Sequence, residues 1–237
     1  MKRSIVTTVS IVMAAALMFA AVSKAQQDPK QALQQKVAAF KQSMAENQKA
    51  LAQYSWTENT RLSLKGEVKS TKIEACRYGP DGKVQKNLLS APPEKKQMRG
   101  LKKRVVEKKT DEMKDYMERV VALIQRYVPP PAELIKADVA GGNASISPLG
   151  DGAMQLQFRN FVKAGDVVSI TVDSAAKLIR RLKVDTYLDE EKEKVALEVD
   201  YRTLPDGTNY AAVKNLNVAA KQIIVNVESG NYQKLAP

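Results

Sequence analysis

The chain has 237 residues, 44% of them hydrophobic and 27% charged, with a formal net charge of +12, one cysteine and no histidine. The lack of histidine excludes Ser-His-Asp and Cys-His nucleophilic sites and every His-containing zinc or iron centre. A single cysteine, Cys76, excludes an intrachain disulfide, so folding must rest on an apolar core.

Met1-Lys2-Arg3 is a short positive start, followed by an uncharged apolar run from Ile5 to Val22 and then Ser23-Lys24-Ala25. This is the three-part pattern of a cleavable secretory signal, with the cut expected after Ala25. A membrane anchor is the alternative reading of the run. Cleavage removes Lys2, Arg3 and Lys24 and no acid, taking the net charge from +12 to +9. The expected location is a bacterial periplasm, where a basic balance suits anionic lipid or an acidic protein face better than nucleic acid.

Asp28-Pro29 reads as a helix start. Leu33, Val37, Phe40, Met44 and Leu51 then recur at helical spacing, predicting one amphipathic helix over 29–54. From residue 55 the period changes to two: Trp56, Glu58, Thr60, Leu62 and Leu64 share one parity. Gly66 marks a bend or turn, a second strand runs from Glu67 to Tyr78, and Gly79-Pro80-Asp81-Gly82 turns the chain into a third strand ending near Leu89. Strands over 55–89 therefore form an antiparallel meander.

Pro92-Pro93 ends the β pattern. Lys95, Lys96, Arg99, Lys102, Lys103, Arg104, Lys108 and Lys109 follow within fifteen positions, opposed by Glu107. A helix is expected over about 97–128, with Val106, Met113, Met117, Val120, Ile124 and Tyr127 on one side and Pro129-Pro130-Pro131 as its stop. Cations at a helix start oppose the macrodipole, so they carry a role or the helix begins later than drawn. A short helix over 132–139 ends at Gly141-Gly142. Alternating strands fill 144–228, with Leu204-Pro205-Asp206-Gly207 repeating the earlier turn chemistry.

The sum is an α+β chain, a signal over 1–25 and a single domain over 26–237. An antiparallel sheet of this many strands tends to curl. The expected architecture is a strongly curved antiparallel sheet, a half-open barrel, with the amphipathic helices packed against its concave side. The starting helix, Trp56-Thr57-Glu58, Leu64-Lys65-Gly66-Glu67 and Tyr78-Gly79-Pro80-Asp81-Gly82-Lys83, followed later by Leu204-Pro205-Asp206-Gly207 and Asn231-Tyr232, resemble the LolA-like superfamily of periplasmic lipoprotein carriers and RseB-type stress sensors. The resemblance implies a trough that shelters acyl chains beneath helices. The long basic helix is an addition to that pattern.

Two candidate sites follow. Phe40, Met44, Trp56, Met113, Met117 and Ile124 are an apolar lining for an acyl lipid or lipoprotein, or ordinary core. The basic stretch from Lys95 to Lys109 is a dock for an anionic membrane surface or acidic protein, or a solvated helix end. Asp189-Glu190-Glu191 with Glu193 lacks the spacing of a calcium loop and reads as a hairpin turn. Glu58 and Glu67 would serve acid–base chemistry only if folding brought them together, and Cys76 reads as a small buried apolar residue. No metal or cofactor is expected. The function expected is non-enzymatic: an exported protein that carries or senses a lipid, lipoprotein or other amphiphile. The alternative is an envelope structural or interaction protein that uses the basic helix as a partner surface.

Overall fold

A computed structural model describes Ala38, residues 42–90 and residues 101–235; the side chains of 101–103 and 105 fall outside that description. The signal segment, Phe40, Lys95, Lys96, Arg99 and the side chains of Lys102 and Lys103 therefore lie outside the described residues.

Helix α1 covers 42–51. Ten strands follow: β1 (Tyr54–Leu64), β2 (Glu67–Tyr78), β3 (Val84–Leu88), β4 (Ala144–Pro148), β5 (Ala153–Arg159), β6 (Val167–Asp173), β7 (Ile179–Tyr187), β8 (Lys194–Thr203), β9 (Asn209–Val218) and β10 (Ile223–Lys234). Helices α2 (Leu101–Gln125) and α3 (Ala132–Gly141) separate β3 from β4. The predicted first helix thus gives way to strand at Tyr54, because the period-two parity of β1 extends back through Tyr54 and Trp56, both buried.

All ten strands form one open sheet in the order β3-β2-β1-β10-β9-β8-β7-β6-β5-β4, and every pair is antiparallel. The fold class is α+β. Each neighbour in sequence is a neighbour in space except β3 and β4, and one further pairing joins strands distant in sequence. The last strand pairs with the first, β10 with β1. The chain from β3 to β4 travels from one edge of the sheet to the other, and the basic helix α2 belongs to that crossover.

Registered partners in an antiparallel pair share a face. One row runs Phe158, Val168, Val184, Leu197, Leu216, Val225, Leu62 from β5 to β1 without interruption. The next runs Leu156, Ile170, Leu182, Val199, then Lys214, Val227, Thr60 and Lys72. The opposite face carries ion pairs, Arg181 with Asp200 at 2.6 Å and Lys183 with Asp185 at 3.1 Å, and the Asn226–Asn215 hydrogen bond at 2.7 Å. The central strands β7 and β8 therefore alternate apolar with polar, the pattern of a sheet wet on one side.

Tyr116, Val120, Leu123 and Tyr127 of α2 and its C-terminal turn join one core with Val139 of α3 and the apolar residues of β5 to β10. Their spacing of four, three and four is one helical stripe. Met113, Met117 and Ile124 flank it, half-buried. Val106, expected on the same stripe, is 42% exposed, since α2 is buried only from about Met113 onward. Full burial of each Leu, Val or Phe here stabilises by about 1.5–3 kcal/mol.

A polar network lies within the core. Tyr127 is fully buried, and its hydroxyl donates to Asp166 Oδ2 at 2.7 Å and lies 2.9 Å from Thr186 Oγ1. Asp166 also accepts the backbone N–H groups of Phe161, Val162 and Lys163 at 2.5, 3.0 and 2.9 Å. The loop before β6 is thereby wound around one carboxylate, and Tyr127 clips the end of α2 to it. Burial, with Asp166 nearby, pushes the Tyr127 hydroxyl well above its usual pKa.

The hairpin turns follow from local chemistry. Lys65 and Gly66 both have positive φ, 55° and 79°, between the paired residues Leu64 and Glu67. This is a two-residue type I′ connection. The two Pro-Asp-Gly turns share one bonding scheme. Gly82 N–H donates to Gly79 O and Gly207 N–H to Leu204 O, both at 2.9 Å. Asp81 and Asp206 each accept the N–H two residues on, at 3.1 and 3.0 Å.

Candidate functional site

Within the apolar face, charge enters at β9, β1, β2 and β3. Glu58 belongs to the inward parity of β1 with Trp56 and Leu62, and it is 2% exposed. Lys214 of β9 donates to Glu58 Oε1 at 2.6 Å, and Lys86 of β3 pairs with Oε2. Ser229 of β10, directly opposite Glu58, has its hydroxyl 3.4 Å from Oε1. Burial pushes the Glu58 carboxyl up, but Lys214 and Lys86 together outweigh it and hold the group at about 2. Burial alone would lower the pKa of Lys86; Glu58 reverses this and raises it. Glu74, opposite Glu58 on β2, lies 3.8 Å from Lys72 and 3.9 Å from Lys86.

On one side along the strands this cluster meets aromatic rings. Trp56 stacks on Tyr232 with centroids 5.6 Å apart and packs on Tyr78 at 5.4 Å; Tyr210 meets Tyr232 at 4.4 Å. Burial, with Tyr78 nearby, pushes the Tyr201 hydroxyl up to about 12. Cys76 lies opposite both Trp56 and Lys86 and is 2% exposed. Burial and then Glu58 raise its thiol pKa, the reverse of what a reactive thiolate needs. On the other side lie aliphatic residues: Leu62, Leu216, Val225 and Val227 are all half-buried.

The residues predicted from sequence fall in three places. Met44, Met113, Met117 and Ile124 pack against the common core. Trp56 sits apart from them, in the aromatic group beside Glu58. Arg104, Lys108 and Lys109 are exposed on the first turns of α2, where Lys108 lies 4.0 Å from Glu112. The structure does not bring Glu58 and Glu67 together. Glu67 pairs with Leu64 at the far end of β1 and forms an exposed ion pair with Lys69. In the acidic turn after β7, Asp189 pairs with Arg119, Glu190 with Lys192 at 2.6 Å, and Glu193 accepts the backbone N–H groups of Asp189 and Glu190.

Sequence reasoning missed Lys86, Lys214, Tyr232 and Ser229. The signal was present in parity. Glu58 stands among Trp56, Thr60 and Leu62, and Lys214 stands two residues from Leu216 on the inward side of β9. Opposite charges at two inward positions point to a buried pair, although their partnership spans 156 residues.

No family model matches the chain, and no curated protein matches it. Among solved structures, a DUF1329 family protein from Desulfovibrio piger aligns over 88% of this chain and 94% of its own, at 11% identity and a TM-score of 0.42.

Proposed function

We propose that the protein is exported to the periplasm and binds an amphiphile, a lipid or the acyl part of a lipoprotein, as a carrier or sensor rather than as an enzyme. On this reading the sheet curls about its apolar face as a half-open barrel of the LolA-like kind. The observation that supports it most is the extent of that face. The row that begins in the dry core at Phe158, Val168 and Val184 continues through Leu216, Val225 and Leu62, which are only half-buried among the described residues. An acyl chain laid on that strip continues the core and removes apolar surface from water at about 25 cal/mol per Å².

Native mass spectrometry of protein purified from the periplasm without detergent tests this. The expected result is a series of adducts with lipid masses. A bare chain that also fails to take up a fatty acid added in excess contradicts the proposal.

A second reading is favoured by a different observation: every described side chain of α2 from Arg104 to Lys109 is exposed, and Arg104, Lys108 and Lys109 among them face one acid, Glu107. That end of the helix suits an anionic membrane surface or an acidic protein. Loss of partner capture on neutralising Lys102, Lys103 and Arg104, with folding intact, would support it; capture that persists unchanged removes its basis.

A further inference from the structure

A buried carboxylate needs one well-placed cation to offset its desolvation, and a second adds charge where an apolar residue would serve the fold as well or better. Glu58 has two, one on each oxygen. With Glu74 and Lys72 included, the cluster holds three ammonium groups against two carboxylates, a surplus of one positive charge on a sheet face whose neighbouring residues are aliphatic, aromatic or hydroxyl-bearing. The carboxylate is sealed, but the cations are not. The Lys214 and Lys86 side chains are 33% and 41% exposed, against 3% for Glu58. Each ammonium carries three N–H donors, and among the described residues Glu58 is the one side-chain acceptor of Lys214.

The surplus charge has aliphatic neighbours. Lys214 lies opposite Val227 on β10, and two residues further along β9 stands Leu216, opposite Val225. Two residues along a strand is about 7 Å. A cationic spot and a half-exposed aliphatic strip are thus contiguous on one surface, as an anionic head and its tail are contiguous in an amphiphile.

We propose that Lys214 and Lys86 bind the anionic headgroup, a carboxylate or phosphate monoester, of a single-chain amphiphile whose tail lies along Leu216, Val225 and Leu62. The proposal rests on the amphiphile-binding reading above and specifies its ligand class. Glu58 acts as the positioning group. It holds the two ammoniums side by side and lowers their joint charge, so that the site takes an anion yet releases it.

The test uses the full chain, stripped of lipid, and follows the fluorescence of Trp56, the single tryptophan, which neighbours the cluster. Lysophosphatidic acid and a monoacylglycerol of the same acyl length are titrated separately, and the ratio of their affinities is the readout. The wild type should favour the anion at least tenfold. Lys86→Gln removes the surplus cation and leaves Glu58 paired with Lys214, so the ratio should fall close to one. Glu58→Gln frees both ammoniums, so the ratio should rise at least threefold, a gain that a misfolded variant would not produce.

If the wild type binds both probes equally, or Glu58→Gln lowers the ratio, the headgroup site is overturned while amphiphile binding stands. If neither probe binds, the amphiphile reading fails. Inorganic phosphate titrated alone then decides the site. A fluorescence change that Lys86→Gln abolishes supports a cationic site for a free anion, and no change overturns the site as well.

Discussion

Glu58 shows how a single residue can be read two ways until its partners are known. Its usual carboxyl value is 4.5, and the folded protein holds it at about 2. A depressed carboxylate stabilises the folded state above its unfolded pKa and loses that contribution as pH falls through the folded one. Stability should therefore drop between about pH 4.5 and about pH 2, by on the order of 3 kcal/mol from this group. Denaturant titrations at pH 7 and pH 3 check it, and Glu58→Gln should show a smaller loss over the same window. Lys214→Met leaves the sealed carboxylate with Lys86 as its one cation and should cost no more than about 1 kcal/mol at neutral pH, whereas Lys214→Met combined with Lys86→Met leaves it unpaired and should cost about 3 kcal/mol. Tyr127→Phe keeps the ring but strands Asp166 and Thr186 on one side, at a cost of about 1–3 kcal/mol in the same titration with an unchanged denaturant slope. None of these partnerships was legible locally, since Tyr127 and Asp166 are 39 residues apart. The parity of β1 was legible, and it already placed Glu58 on the apolar side.

Single elements were easier to read from the sequence. The Pro-Asp-Gly turns and the bend at Gly66 were visible because their φ requirements select residue types. The I′ turn places Lys65 at φ 55°, a region unfavourable for a long side chain. Lys65→Asn should raise stability by about 0.5–1 kcal/mol, seen as a higher denaturant midpoint; an unchanged or lower midpoint would show that the turn is not under that constraint. Helix α2 was legible as a helix but not in its division of labour. Tyr116 and Leu123, two of its buried anchors, were absent from the predicted stripe, which instead included the exposed Val106. The cause is the basic start, which extends the helix past the buried turns and blurs the apolar phase. Leu123→Ala should cost about 2–4 kcal/mol. Replacing Arg104, Lys108 and Lys109 by Gln should change stability by no more than about 0.5 kcal/mol, because these side chains are exposed and oppose the macrodipole.

At the scale of the whole molecule, the α+β class and the run of neighbouring strands followed from periodicity. The pairing of β10 with β1 did not, nor did the edge-to-edge route of the chain through α2 and α3, because both depend on contacts distant in sequence. The pairing matters most for function. It joins Glu58 and Leu62 to Ser229 and Val225, and so extends the apolar face beyond the core under α2. It also makes one surface of the sheet a graded strip, aromatic, then charged, then aliphatic, while the other carries the ion pairs and amide contacts of β7 to β10. The central claim is that this strip receives the tail of an amphiphile. Photo-cross-linking with a diazirine-bearing fatty acid, followed by peptide mapping, tests that most directly. Label should concentrate on the inward residues of β1, β9 and β10, at Leu62, Leu216 and Val225. Label spread over the polar face around Arg181 and Asn226, or no label at all, would contradict it.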